Sequence, residues 1–204
     1  MSNAENFAVQ NDYTTDSIFE IPTLLLDKQA STEEKKAIGW GSIPRGSVNR
    51  GIWHFYVEDV KFNALWKNPD GIMRTKCQDC VEINFTLDSQ MPMAVAAYRT
   101  YQKRLMSRYW QSLGINIFVD LNTPPCFDFL NMYGVPKGWS SYATSASDAN
   151  IGLLETQAAQ AFKHAGKYEI DLLVYGGGSK VANMCYDHGW LHVPDARNAA
   201  RKEK

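Results

Sequence analysis

Three aspartates, a glycine triplet and a stretch of basic residues are the parts of this sequence whose types and spacing suit chemistry. Asp59, Asp88 and Asp120 each follow or close an apolar, strand-like run. Carboxylates gathered at neighbouring strand ends would hold a divalent ion. Another such run leads into Gly176-Gly177-Gly178-Ser179-Lys180 and then a helical pattern. Backbone N–H groups of Gly177, Gly178 and Ser179, with the Lys180 ammonium, would cradle a phosphate at a helix start. Together these groups suit metal-assisted hydrolysis or phosphoryl transfer, with Asp59, Asp88 and Asp120 as the catalytic carboxylates. Each has a plainer reading beside it. Asp59 suits a helix N-cap and Asp88-Ser89 a turn. Asp120 sits inside an apolar run, so it needs either a buried partner or a function. The glycine loop matches neither G-x-x-x-x-G-K-[ST] nor G-x-G-x-x-G and also suits a tight strand-to-helix turn.

The basic residues point to a different chemistry. No acid occurs from Ser89 to Val119, where Arg99, Lys103, Arg104 and Arg108 stand; Arg45 and Arg50 lie in a glycine-rich loop upstream. These six are the candidate nucleic-acid contacts. Helical spacing tempers that reading, because Val95, Tyr98, Gln102, Met106, Tyr109 and Leu113 form one stripe suited to a core. The bases fall into i,i+4 pairs, Arg99 with Lys103 and Arg104 with Arg108, which repel unless neutralised. The neutralising partners are either carboxylates elsewhere in the fold, such as those at the strand ends, or external phosphate. Cys77-x-x-Cys80 has half the ligands of a zinc site; Cys126, Cys185, His54, His164, His188 and His192 lack the spacing to complete it, although Cys185 and His188 share a helical face. No metal ligand is therefore assigned, and a divalent metal enters only with the enzymatic reading.

The elements that must position these residues alternate. Ile52 to Val57 reads as a strand, Val60 to Lys67 as a helix, Val81 to Leu87 as a strand and Pro92 to Leu113 as a long helix. Ile115 to Leu121 is a strand buried on both faces, with another near Ser140 to Thr144. Asn150 to Ala165 is a helix capped by Asp148; Ile170 to Tyr175 is a strand, Ser179 to His188 a helix, and Trp190 to Val193 a last short strand. Ser31-Thr32-Glu33-Glu34 resembles a capping box that opens a short helix ending at Gly39. Alternation of this kind predicts an α/β fold: a mainly parallel sheet of about five strands with crossover helices, as an open sheet or partial barrel. Ligands in such sheets bind beyond the carboxyl ends of the strands. The organisation expected is a flexible segment over 1–17, one domain over 18–194 and a charged tail over 195–204.

Composition bounds the rest. The 204 residues are 45% hydrophobic, which excludes a wholly disordered chain. A formal charge of −1 means that any nucleic-acid or membrane contact must be a local patch. The polar first ten residues and the four cysteines lead us to expect a cytoplasmic protein with reduced thiols and no membrane partner.

Trp53-His54-Phe55-Tyr56 with Asp59 and Phe62, Asn84-Phe85-Thr86 with Met91-Pro92, and Tyr98-Arg99 with Arg104 form a pattern. Tyr109-Trp110, Gly114-Ile115 and Gly134-Val135-Pro136 complete it. From about Ile52 to Tyr175 it resembles domain-of-unknown-function family 4417, whose members are phage-, plasmid- and prophage-borne. Asn84, Thr86 and Asp120-Leu121-Asn122 stand where the family pattern carries aspartate, serine and tryptophan. The resemblance implies one α/β domain in a mobile-element setting and assigns no activity. The favoured expectation is an accessory protein of a phage or plasmid that acts in the host cell by binding nucleic acid or a host protein. The metal-assisted enzyme is the alternative.

Overall fold

The structure, a computed structural model, describes residues 13–33, 35–44, 47 and 51–195. Seven strands form one sheet in the order of the chain, and every neighbouring pair is parallel. They are β3 (Ala37–Gly39), β4 (Ile52–His54), β5 (Asp79–Val81), β6 (Asn116–Asp120), β7 (Ser141–Ser145), β8 (Asp171–Tyr175) and β9 (Leu191–Val193). A two-stranded ribbon, β1 (Thr15–Asp16) and β2 (Ile21–Pro22), precedes them. The helices are α1 (Asn63–Lys67), α2 (Met93–Ser112), α3 (Asp128–Asn131), α4 (Ile151–Ala165) and α5 (Ser179–His188).

Strand order that never reverses curls the sheet round on itself. It is nearly closed into a barrel: the His54 ring of β4 lies 4.7 Å from the Tyr175 ring of β8, across the interior. Strand periodicity of two sorts the side chains. Ile52, Val81, Phe118, Ala143 and Leu173 meet inside, with Tyr56 above them and Ala30 below. Trp53, Phe55, Ile117, Val119, Leu172 and Val174 point outward, into a larger core under the helices. Among the described residues no helix is long and apolar enough to cross a membrane.

Two differences from the sequence expectation have clear causes. The described residues from Ser31 to Gly39 form no helix. The Thr32 hydroxyl and N–H both donate to the Asp171 carboxylate, at 2.6 and 3.1 Å, so the would-be cap is spent across the barrel base. Lys35 reaches Asp79 at 2.7 Å, and Ala37–Gly39 then pairs with β4 as an extra strand (Glu34 lies outside the described residues). The strand expected over Val81 to Leu87 ends at Val81, because the Phe85 N–H bonds back to the Ile83 carbonyl in a tight turn.

The N-terminal part of the chain is threaded into the sheet. Gln29 bridges Ile117 of β6, with Ile117 N–H donating to the Lys28 carbonyl and Ala30 N–H to the Ile117 carbonyl. The Gln29 amide oxygen accepts from Ser140 N–H at 2.6 Å. Residues 28–30 thus wedge β6 from β7 at their starts, leaving those strands to pair only at Val119 and Asp120. Residues 13–17 belong to the segment expected to be flexible; here Asp16 accepts the Gly134 N–H at 2.8 Å and Thr15 pairs with Pro22. Gly134 has φ +74°, and a Cβ there would meet the Pro22 carbonyl oxygen at 2.3 Å and Arg104 Cγ at 2.7 Å. Only glycine lets the ribbon lie this close over α2.

Candidate functional site

Helix α2 lies between the sheet and the β1–β2 ribbon, so its middle is buried on nearly every side, including Gln102, Lys103, Arg104 and Ser107. Glu82 follows β5 with outward parity and meets Arg104 there in an ion pair, both side chains fully buried. Arg104 also donates from Nε to the Tyr133 carbonyl at 2.9 Å and from Nη2 to the Asn131 carbonyl at 2.7 Å. Lys103 donates to Asn131 Oδ1 at 2.5 Å and to the Asp120 carbonyl at 3.1 Å, and lies 3.7 Å from the Asp120 carboxylate. The Asp120 N–H donates to Glu82 Oε2 at 3.1 Å, joining the two pairs.

This geometry corrects the reading of Lys103 and Arg104 as nucleic-acid contacts. Each faces an internal carboxylate and is 3% and 0% exposed, so no phosphate backbone reaches it. The flanking cations are partly engaged, with Arg99 Nε and Arg108 Nη1 buried without a hydrogen-bond partner among the described residues. Arg99 lies over the Phe85 ring at 5.4 Å and bonds Gln102 at 2.9 Å, and Arg108 lies 4.5 Å over Tyr13. Arg45 and Arg50 lie outside the described residues. In the stripe, Gln102, Met106 and Tyr109 are buried as expected, whereas Val95 and Tyr98 are exposed at the helix start.

The three aspartates have separate engagements. Asp59 accepts from the Thr86 hydroxyl at 2.9 Å and N–H at 3.3 Å; Asp88 accepts the Gln90 N–H at 2.7 Å in a turn. Among the described residues no three His, Cys, Asp or Glu side chains converge as a metal site requires. Cys77 and Cys80 are buried free thiols, and burial pushes the Cys80 thiol well up, away from the thiolate a metal needs. Cys185 is buried, whereas His188 stacks on Trp190 at 4.4 Å.

The glycine loop does form an anion cradle, and this chain's own carboxylate fills it. Asp148 accepts N–H bonds from Gly178 at 2.8 Å, Val181 at 3.2 Å and Lys180 at 3.4 Å. Those bonds, the Gly178 N–H first, hold its carboxyl below the usual range. Asp148 therefore serves the start of α5, not α4 as its position before Asn150 suggests. A phosphate at Gly177, Gly178, Ser179 and Lys180 would have to displace it.

Inside the barrel, at the carboxyl ends of the strands, a different set of residues gathers. The Tyr56 hydroxyl donates to Asp120 Oδ1 at 2.9 Å, and the same oxygen accepts the Asn122 N–H at 3.1 Å. Burial pushes the Asp120 carboxyl up against the pull of Lys103, pushes the Lys103 ammonium down against Asp120 and Glu82, and raises the Tyr56 phenol well above its ordinary value. An acid and a base driven towards each other in this way suit proton transfer. His54, Tyr56 and Tyr175 stack as one aromatic group, with Tyr56 and Tyr175 centroids 5.6 Å apart. His54 is 3% exposed, and its Nδ1 has no hydrogen-bond partner among the described residues. Burial alone lowers its imidazole to about 4, so it is neutral at ordinary pH. Tyr175 borders a cavity of about 510 Å³, lined also by Ser145 to Asp148 and Gly176 to Gly178.

Of the site residues read from sequence, Asp120 stands in this mouth, Lys103 is bound to it, and Gly177 and Gly178 line the cavity beside Tyr175. The sequence offers His54 only as a zinc-ligand candidate and does not single out Tyr56, Glu82 or Tyr175 as site residues. The signal lay in strand parity: His54 and Tyr56 share alternation with Ile52, as Tyr175 does with Leu173.

Residues 13–174 match the family described as Domain of unknown function (DUF4417). The chain belongs to that family. The DUF4417 chain is similar to Gene 1 protein of Mycobacterium phage D29, 27% identical over 166 residues, 78% of this chain and 58% of the phage protein. It is also similar to Gene 1 protein of Mycobacterium phage L5, 26% identical over 179 residues, 80% of this chain and 74% of that protein. No solved structure matches it. The mobile-element setting implied by the DUF4417 resemblance thus has phage relatives behind it.

Two outcomes follow for the DUF4417 chain. Arg104→Met strands Glu82 without its cation and should cost about 3–5 kcal/mol in urea denaturation, while Glu82→Leu with Arg104→Met should recover part of that loss. A double variant no more stable than Arg104→Met would show that the pair is not the source of the cost. For His54, the unfolded chain takes up a proton near 6.5 that the folded chain refuses until about 4. Stability should therefore fall as pH drops through that window, by up to about 3 kcal/mol. His54→Phe should flatten that part of the pH profile; an unchanged slope would assign it to other groups.

Proposed function

We propose that this phage-type protein works by binding a small polar ligand at the carboxyl-end mouth of its barrel, where Tyr56, Asp120 and His54 would hydrogen-bond it. The observation that carries the reading is the His54 Nδ1 atom, buried in the mouth with no partner among the described residues. A buried polar atom of that kind costs stability unless something completes it. The cavity beside Tyr175 adds room for a ligand within the usual range for small-molecule sites. Parallel α/β barrels place their sites at this end. The Tyr56–Asp120–Lys103 chain would move a proton if the ligand is also transformed.

The test is a thermal-shift screen of nucleotides, sugar phosphates and amino acids against the protein and its Tyr175→Ala variant. A ligand at 100 times its Kd stabilises by about 2.7 kcal/mol. The reading requires a compound that raises Tm for the parent and not for Tyr175→Ala. A library in which no compound separates the two removes it.

One further observation favours a host-protein partner as a second reading. Met93 and Val95 of α2 and Phe129 of α3 are 46%, 38% and 54% exposed, large apolar side chains around one packed pair of helices. Grouped apolar exposure marks contact surfaces. If they form one, a host protein captured by the parent should be lost with Val95→Asp and Phe129→Asp and kept after nuclease treatment. Loss with nuclease instead would mean that nucleic acid bridges the two.

A further inference from the structure

A second cavity lies outside the barrel, between the segment after β3 and the turns around α1. It encloses about 560 Å³, and Trp40, Ile43, Pro44, Trp53, Ala64 and Leu65 supply its apolar wall. Its shape is held from behind. Trp40 packs edge-on against Trp53 at 5.1 Å, and its indole N–H donates to the Lys61 carbonyl at 3.2 Å. The Trp53 indole N–H donates to the Thr75 hydroxyl at 3.0 Å, and that hydroxyl donates to the Ile72 carbonyl at 2.7 Å. The wall is therefore rigid, and its volume falls in the range of sites that enclose most of a small molecule.

The charge on this wall has one sign. Lys61 and Arg74 both line the cavity, and among the described residues no acidic one does. Among the described residues neither cation makes an ion pair or a side-chain hydrogen bond. Three other described cations form ion pairs, Lys35 with Asp79, Lys103 with Asp120 and Arg104 with Glu82, whereas Lys61 and Arg74 are exposed at the cavity rim. Two unpaired cations beside a rigid tryptophan-walled hollow complement one kind of occupant: an apolar, preferably aromatic, body carrying one anionic group.

We infer that this cavity is a binding site for a small amphipathic anion, an aromatic body with a single carboxylate, sulfonate or phosphate. The site is separate from the barrel mouth. It shares no residue with Tyr56, Asp120, His54 or Tyr175. Its success or failure leaves the reading of the mouth untouched.

The probe is 8-anilinonaphthalene-1-sulfonate, titrated by fluorescence against the full chain, with uncharged N-phenyl-1-naphthylamine as its neutral counterpart. One equivalent of the sulfonate should bind, roughly tenfold more tightly than the neutral amine, as a charge-assisted contact provides. Lys61→Gln with Arg74→Gln, both on the surface, should leave the fold intact by circular dichroism and erase that preference. Ala64→Trp, which fills the hollow from the exposed side of α1, should weaken both probes. Equal affinity for the two probes, an anion preference that survives the double glutamine variant, or binding unaffected by Ala64→Trp would each overturn the inference.

Discussion

Two carboxylates and two cations share the dry space between α2 and the carboxyl ends of β5 and β6. Removing such charges from water costs several kcal/mol each, and only near-complete pairing offsets it. Here the pairing draws on almost every neighbouring element. Glu82 comes from β5's end, Asp120 from β6, Lys103 and Arg104 from α2, and Asn131 with the Tyr133 carbonyl from α3 and the turn after it. The geometry must be met all at once, so these elements have one way to come together. The β1–β2 ribbon then covers Arg104, which is why a glycine is needed at 134.

That arrangement changes what the chain has left for function. Two of the six residues that look like a nucleic-acid face in sequence, Lys103 and Arg104, are neutralised inside. The phosphate cradle at the glycine loop is likewise met internally, by Asp148. Among the described residues, polarity without a partner includes His54 at the barrel mouth and Lys61 and Arg74 in the outer hollow, besides Arg99 Nε and Arg108 Nη1 on α2.

Much of the architecture was legible because β8 and β6 lie in near-continuous apolar runs, IDLLVY and INIFVDL, and α2 and α4 have a proline or glycine at their ends. Short elements were not. β3 is three residues long and follows a good capping box, and only contact with Asp171, far along the chain, redirects Thr32. The site was less legible than the fold. Asp120 stood out as a carboxylate in an apolar strand. Lys103 and Arg104 looked available because their partners are distant in sequence, Glu82 among them. His54 and Tyr56 sit in an aromatic run whose inward parity is visible only once the sheet curls.

The wedge of residues 28–30 between β6 and β7 has a consequence for how the chain reaches this state. Those residues leave the ribosome well before Ile117 and Ser140, the groups they bond. Their own hydrogen-bonding edge must therefore wait, exposed, while β3 to β6 are synthesised. Contacts this distant in sequence make acquisition of the native state slow and leave the waiting edge open to misplaced strand pairing. One of the earliest-made segments is thus seated only after four strands of the sheet exist, and chaperone demand should concentrate at that step.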